Sequence, residues 1–383
     1  MRALVISDTH FGAWTGRDLL REEFFLERLA PALDGIDELV FLGDLYDFLF
    51  GSVGEAVDAS DGLLRLIAEK LPGKRLVFLA GNHDHHLVHR DGENRIEAQL
   101  ASGLSPTREG SVFAGEDPDR AGPGFFRSFL AHRLPGVEVE VAYPTYEVGG
   151  VLCTHGHYLD PHARLAGSRG NRLLTRTLWG IATGGPEQPR TIEDYESVIT
   201  LLTEWLYIAA QMPHGTHAQR NVLRATQRAG KLEAALSRPL RRLRGLRGGE
   251  TVPPPPDAPA PRRAYPSASV VSPSDPSEHA LEAFAQVVAN LGWAERSEQI
   301  VFAHTHQPLA CVQSKADSRT RYWNTGSWIY EPPHGSPQAY ERYLRYAWPG
   351  SAVVIDDEEP EPHLLELLAD LNPLRGGPGL RHT

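Results

Sequence analysis

The chain predicts a mixed α/β (α+β) fold that gathers its chemistry at strand ends, and three observations carry that prediction. Short apolar runs rich in Val, Ile, Leu and Phe recur at Ala3 to Ser7, Glu38 to Leu42, Leu76 to Ala80, Val148 to Thr154 and Gln299 to Ala303, as buried strands require. Each run leads directly into a polar signature: Asp8-Thr9-His10, Gly43-Asp44-Leu45-Tyr46-Asp47, Gly81-Asn82-His83-Asp84, His155-Gly156-His157 and His304-Thr305-His306. Helical periodicity fills other stretches, most clearly Thr191 to Met212 and Leu281 to Leu291. Strand ends are rigid, so residues distant in sequence can converge on one sheet edge, where α/β folds place their sites.

The signatures contain Asp, Asn and His without a thiolate, a donor set suited to Mn, Fe or Zn in a reactive site rather than to structural zinc. Candidate ligands are Asp8, His10, Asp44, Asn82, His155, His304 and His306, more than the four of a single closed site. Two ions are therefore expected. A carboxylate can bridge ions about 3.5–4 Å apart and hold a water between them at lowered pKa, which suits in-line hydrolysis at phosphorus. Taken singly, Asp-x-His and Gly-Asp are common at turns. Gly-Asn-His-Asp is more specific, and five signatures in order after five apolar runs leave chance a poor explanation. Of the remaining histidines, His85, His86, His89 and His162 are expected to support the site or lie at the surface. His157 is balanced between support and a phosphate contact.

With these motifs the chain resembles the calcineurin-like metallophosphoesterase superfamily over roughly residues 1–160 and 295–356. The resemblance implies a four-layer β-sandwich flanked by helices and phosphomonoesterase, phosphodiesterase or pyrophosphatase chemistry. It also implies roles. Asp8, His10 and His306 would hold one ion, Asn82, His155 and His304 the other, and Asp44 would bridge them. His83 would protonate the leaving oxygen or stabilise the transition state, with Asp47 orienting it. One departure is Ala303, where the family usually has Gly before the last His-x-His. Within the superfamily, Asp-x-His, Gly-Asp-Leu-Tyr-Asp, His-Gly and His-Thr-His-Gln-Pro are most similar to the UDP-diacylglucosamine pyrophosphatase-like branch. The chain departs from that branch in the length of its insertion and in His83, where Arg is usual.

The composition is that of a globular chain: 383 residues, 41% hydrophobic and 23% charged. Thirty-eight basic against 49 acidic residues leave a net charge of −11, which argues against a dedicated duplex DNA binder. A phosphorylated substrate stays compatible, because two metal ions reverse the local sign of the site. Cys153 and Cys311 cannot make a disulfide framework, residues 1 to 7 read as a strand rather than a signal peptide, and no run is long and apolar enough to span a bilayer. A cytoplasmic protein is expected.

The organisation follows from the spacing of the signatures. Residues 1–159 and 296–356 form the expected core, and about 150 residues separate His155 from His304, far beyond an ordinary loop. Residues 160–250 read as a helical insertion. Within it Thr191-Ile192-Glu193-Asp194 resembles a capping start, followed by an apolar line at Ile192, Tyr195, Ile199, Leu202, Leu206 and Ala209. A second line, Val198, Leu201, Trp205 and Ile208, makes the apolar face unusually broad. It is expected to dock on the core or a second subunit, the alternative being an amphipathic lid on a lipid-like substrate or membrane. Leu232, Leu236, Leu240 and Leu243 predict another helix interrupted at Pro239. Arg238, Arg241, Arg242, Arg244 and Arg247 form a basic cluster, expected to be solvated, with an anion contact as the alternative.

Residues 251–276 contain nine prolines and read as an extended linker. A helix over 277–295 returns to the core, with Gly292 as its stop. Asn324-Thr325-Gly326-Ser327 is expected to support the sheet, with Trp328 packing beside it. Ser351 to Ile355 reads as a last strand, and 357–383 as a tail with a short helix around Leu364 to Leu371.

The expected function is metal-dependent hydrolysis of a phosphorylated small molecule or a lipid-linked substrate, with Mn favoured in vitro and Fe or Zn as alternatives. A lipid-linked pyrophosphatase whose insertion makes peripheral membrane contact is one variant of that reading. A scaffold that keeps the fold without catalysis is the alternative from another class, and the complete ligand set argues against it.

Overall fold

The computed structural model describes residues 1–14, 17–88, 101–103, 125–162, 189–212, 215, 278–331 and 337–374. Its strands are β1 (Arg2–Ile6), β2 (Arg17–Asp18), β3 (Glu38–Leu42), β4 (Arg75–Leu79), β5 (Glu138–Ala142), β6 (Thr145–Val148), β7 (Val151–Thr154), β8 (Gln299–Phe302), β9 (Leu309–Gln313), β10 (Arg321–Asn324), β11 (Ile329–Tyr330), β12 (Ser351–Asp356) and β13 (His363–Glu366). Two sheets dominate, ordered β13-β12-β1-β3-β4-β5 and β6-β7-β8-β10-β9, and β11 pairs with β2. Strands β1, β3, β4 and β5 run parallel, as do β7, β8 and β10.

Strict alternation along the strands assigns each face of the first sheet to a different core. Ala3, Val5, Val40, Leu42, Val77 and Leu79 meet Val151, Cys153, Val301, Ala303 and Trp323 of the second sheet. Leu4, Ile6, Leu39, Phe41, Leu76 and Phe78 face helices α1 (Glu23–Leu29), α2 (Val53–Lys70) and α3 (Phe125–Arg133), through Phe25, Leu63, Ile67, Phe126 and Leu130. Helices α4 (Ile192–Gln211), α5 (Glu278–Asn290) and α6 (Trp293–Arg296) cover the outer face of the second sheet, where Leu152, Ile300, Phe302 and Tyr322 pack with Tyr195, Ile199, Phe284, Val288 and Trp293. The result is a four-layer sandwich of helices, sheet, sheet and helices. A last helix, α7 (Pro337–Tyr346), adds Tyr340, Tyr343 and Leu344 to the first helical layer.

Phe284 anchors the outer layer: it is fully buried and its ring stacks on Phe302 at 4.3 Å. We expect Phe284→Ala to cost about 3–5 kcal/mol, the transfer loss plus the cavity left behind. Denaturant unfolding of the metal-loaded protein measures it, and a loss below about 1 kcal/mol would contradict this packing.

The strand expectations hold within one or two residues, with two corrections. Val148 to Thr154 is not one run: Gly149 and Gly150, both at positive φ, turn β6 into β7, and only β7 leads to His155. Positive φ is open to glycine at little steric cost, so the hairpin reverses there. The helix expected around Leu364 to Leu371 is instead strand β13 followed by a 3₁₀ turn at Ala369–Leu371. β13 pairs antiparallel with β12, so the core sheet extends into the region read as tail. Its backbone finds a sheet edge to bond, which overrides the helical preference of a Leu-rich stretch.

Helix α4 has the expected start: Thr191 accepts from the Asp194 backbone N–H, and Asp194 accepts from that of Thr191. Its apolar surface is divided. Tyr195 and Ile199 are buried, whereas Trp205 and Ile208 of the second line are 67% and 57% exposed. The helix expected around residues 232–243, the arginine cluster and the proline-rich segment lie outside the described residues.

Candidate metal centre

The ends of β1, β3 and β4 in the first sheet and of β7 and β8 in the second, rather than one sheet edge, collect all five signatures, and the backbone there is unusual. Asp8, His10, Asp44, His304 and His306 have φ of 49°, 49°, 53°, 68° and 57°. Left-handed backbone at non-glycine residues costs roughly 1–3 kcal/mol each and persists only where surroundings over-determine it. Here they do. The loops zip together as Asp8 N–H donates to Gly43 O at 3.1 Å, His10 N–H to Asp44 O at 2.9 Å, Ala303 N–H to His155 O at 3.0 Å and Trp328 N–H to Asp8 O at 3.0 Å. Gly81 belongs to the same close packing, since a Cβ there would overlap Asp44 Oδ1 and His155 Nε2.

The seven predicted ligands come together in two groups. In one, single donor atoms of Asp8, His10 and His306 lie within 4.8 Å of one another; in the other, those of Asp44, His155 and His304 do. His306 Nε2 stands 3.2 Å from both Asp8 Oδ1 and His10 Nε2. His155 Nε2 stands 3.3 Å from both Asp44 Oδ2 and Asn82 Oδ1. Asp44 Oδ2 also lies 3.7 Å from His10 Nε2, which links the groups. Donors at 2.0–2.2 Å from one ion stand roughly 3.0–3.5 Å from each other, so these separations fit metal coordination. Two imidazole nitrogens facing each other at 3.2 Å also make poor neighbours unless a proton or a cation lies between them. Asp8 Oδ1 and His10 Nδ1 are buried without a hydrogen bond among the described residues.

Neighbouring groups turn each imidazole. His155 Nδ1–H donates to Leu42 O at 2.7 Å, which presents Nε2 to Asp44. His306 Nδ1–H donates to Glu331 Oε1 at 2.7 Å, and His304 Nε2–H to Asp160 Oδ1 at 2.8 Å, leaving Nδ1 as that ring's free ligand atom. Asp84 accepts backbone N–H bonds from Gly81 at 2.7 Å and Leu45 at 2.8 Å, with longer ones from Asp44 and Tyr46 at 3.3 Å, and so joins the two loops that carry Asp44 and Asn82. Burial, then the Asp44 charge, pushes its carboxyl up to about 7 against these donors. No spacing rule singles out Asp160, Glu331 or Asp84 as partners of the ligand loops. Asp84 was visible as the last residue of Gly-Asn-His-Asp, but Glu331 lies 25 residues from its histidine and no spacing rule reaches it.

Burial and charge compete at these carboxylates and imidazoles. Burial works to raise Asp8 and Asp44, yet the facing imidazoles of His306 for Asp8 and of His155 and His83 for Asp44 outweigh it and hold both well below the usual carboxylate range. Burial works to lower His155 and His306. The carboxylates of Asp44 and Asp8 override it and raise them to about 9 and about 10. Without metal these protons contribute stability that is fully present below about pH 6.5 and is lost as pH climbs through 9 to 10. Bound cations must displace them. Metal affinity should therefore tighten as pH rises toward 9, by up to about tenfold per pH unit for each proton released. Chelator competition at about pH 6.5 and 8.5 tests this, and a flat or inverted dependence would contradict the protonated resting state.

Beside the ligands, His83 Nδ1–H donates to Asp47 Oδ1 at 2.9 Å, and one His83 nitrogen falls within 4.8 Å of donor atoms on His10 and Asp44. Burial opposes its charge, but Asp44 and Asp47 raise it to about 9. The neighbouring histidines pair with polar groups outside the two candidate ligand groups. His85 pairs with Glu196, His86 with Glu204 and His162 with the Tyr195 hydroxyl, while His89 lies outside the described residues. His157 is buried with Nε2 3.1 Å from the Tyr143 hydroxyl and belongs to neither ligand group. Burial and the charges of His155 and His85 keep it neutral. Asn324 braces the last ligand loop, donating to Ala303 O and Thr305 Oγ1, and Trp328 is fully buried beside it, as expected. A cavity of about 330 Å³ between Gly150, Arg296, Arg321 and Glu361 lies at the opposite strand ends and takes no part in the site.

A two-sheet sandwich whose strand ends collect Asp, Asn and His into two linked ligand groups defines the metallophosphoesterase class. The calcineurin-like phosphoesterase profile matches residues 1–228, more than half of the chain, and the chain belongs to that family. The matched span contains Asp8 through His155; β8 with His304 and His306 lies beyond it. No curated protein matches the chain. Among the described residues no helix is long and apolar enough to cross a membrane.

Proposed function

We propose that this protein is a dinuclear metal-dependent phosphoesterase that hydrolyses a phosphodiester, pyrophosphate or phosphomonoester bond. The observation that carries this reading is Asp44, whose Oδ2 is 3.3 Å from His155 in one ligand group and 3.7 Å from His10 in the other. Asp8, His10 and His306 would hold the first ion and Asn82, His155 and His304 the second, with Asp44 shared. When bound, such ions would supply a water of lowered pKa and offset charge on the phosphoryl group.

The chain's own residues then divide the remaining work. His83, raised by its carboxylate neighbours, carries the proton that the leaving oxygen needs. Asp47 fixes that ring through Nδ1 and so leaves Nε2 for the substrate. An oxygen and nitrogen donor set without thiolate favours Mn for reconstitution, with Fe or Zn as alternatives. A cytoplasmic setting is consistent with the unpaired Cys153 and Cys311.

The deciding experiment is hydrolysis of p-nitrophenyl phosphate and bis-p-nitrophenyl phosphate by apoprotein reloaded with Mn, Fe or Zn. Metal-dependent turnover, greater on the diester, supports a diesterase or pyrophosphatase. Two bound ions with no turnover on either ester would favour the scaffold. A lipid-linked substrate is the finer reading supported by the exposed Trp205, Ile208 and Met212 on one side of α4. Co-sedimentation with anionic liposomes tests it, and no difference on replacing the three by Ser would end it.

A further inference from the structure

Helix α4 meets the catalytic side of the core through a polar stripe, beside which Leu206 packs with Trp14, Leu49 and Phe50. Glu196 Oε2 accepts from His85 Nε2–H at 2.8 Å, and Oε1 accepts from the Tyr143 hydroxyl at 2.6 Å and from the Tyr158 hydroxyl. Eight residues on, the Glu204 carboxylate accepts from His86 Nδ1–H, with both oxygens at 2.9 Å. One turn farther, Tyr207 stacks on the His86 ring at 3.7 Å. Gln211 closes the stripe, accepting from Val53 N–H at 3.0 Å and donating to Gly51 O at 3.1 Å. Positions 196, 204, 207 and 211 recur at helical spacing on one side of α4.

The residues they grip are the flanks of two catalytic loops. His85 and His86 follow His83 by two and three positions, Gly51 lies in the loop from Asp47 to α2, and Val53 is the first residue of that helix. The His83–Asp47 hydrogen bond spans those same loops, with the Phe50 ring 5.6 Å from His83. Glu196 is nearly buried and its partners His85, Tyr143 and Tyr158 are fully so. Burial works to raise its carboxyl, but the His85 charge, its hydrogen bond and the two hydroxyls hold it down, so the charge is used rather than solvated.

We propose that α4 is a clamp that sets the register of the His83 and Asp47 loops, with Glu196 and Glu204 as positioning residues for that dyad. Neither carboxylate belongs to a candidate ligand group, so the clamp acts first on proton delivery. Its kinetic consequence rests on the phosphoesterase reading. A loosened His83 matters most where the leaving oxygen needs a proton, so phenyl phosphate should suffer more than p-nitrophenyl phosphate.

The test compares wild type with Glu196→Ala and the milder Glu204→Gln, both metal-loaded. Turnover on phenyl phosphate should fall by roughly tenfold or more for Glu196→Ala, with a smaller fall on p-nitrophenyl phosphate, KM little changed and two ions retained. Amide exchange over residues 82–88 should quicken by about tenfold in Glu196→Ala and detectably in Glu204→Gln. Equal losses on both esters, or exchange over 82–88 like that of wild type in both variants, would overturn the clamp. If wild type hydrolyses neither these monoesters nor bis-p-nitrophenyl phosphate, the phosphoesterase reading fails while amide exchange still decides the clamp. Should Glu196→Ala fail to fold, Glu204→Gln carries the same two readouts, and unchanged values there overturn the proposal.

Discussion

Asp44→Asn is expected to abolish tight metal binding and hydrolysis together. Both carboxylate oxygens are engaged: Oδ1 accepts from the His83 backbone N–H at 2.8 Å and Oδ2 faces His155 and His10. Asparagine keeps the shape but replaces one oxygen with a donor and removes the charge. The donor then points either at a backbone N–H or at the space where cations belong. The carboxylate that linked two ligand groups becomes a one-sided neutral ligand. We expect the affinity of the weaker ion to fall roughly a hundredfold or more, with turnover lost in proportion. Equilibrium dialysis with metal analysis, run beside the diester assay, measures both. Retention of two tight ions with undiminished turnover would remove Asp44 from its shared role.

His83→Ala should separate chemistry from metal binding. The substitution deletes the imidazole but keeps the backbone N–H that Asp44 accepts, so the shared ligand stays seated and both ions should remain. What goes is the imidazole that Asp47 holds, the proton donor in the proposed reaction. Turnover should drop roughly a hundredfold or more with KM changed little, since the group works mainly in the transition state. Metal loss in this variant, with normal turnover per occupied site, would show that His83 is a ligand and not an acid. The comparison with Asp44→Asn matters because the two residues adjoin: one variant should lose ions and rate, the other rate alone.

The contrast between these residues and Glu331 or Glu196 shows where sequence reading stops. A strand ending in Asp-x-His or Gly-Asn-His-Asp carries its own support, because the apolar alternation that buries Val5 or Leu79 also dictates where the chain must leave the sheet. The ligands are local to that exit, and so they are readable. Glu331 and Asp160 act on His306 and His304 through space, 25 and 144 residues away. Their spacing reflects how loops close over one another and has no period to detect.

Helix α4 shows the same division within a single element. Its existence, its Thr191 cap and its approximate length followed from periodicity, because helix formation is local. Its orientation did not, since an unusually broad apolar face allows more than one docking direction and the polar residues opposite it look like a solvated stripe. Glu196 and Glu204 face inward because His85, His86, Tyr143 and Tyr158 wait there, and two of those partners come from strands or turns in other parts of the chain. The Leu-rich C-terminal stretch became β13 for a related reason: β12 offered an open edge.

The sequence by itself determined the α/β class, the strands that end at the site, the seven ligand candidates and the His83–Asp47 pair. All of these depend on contacts between near neighbours in the chain and on the period of a strand or helix. Only the tertiary structure decided which carboxylates turn each imidazole, how the two candidate ligand groups meet at Asp44, and that Glu196, Glu204 and Gln211 of α4 bond the segments that follow His83 and Asp47. Those facts depend on side chains from distant segments meeting in a low-dielectric interior, where each buried charge must find its partner and no rule of spacing says which it will be.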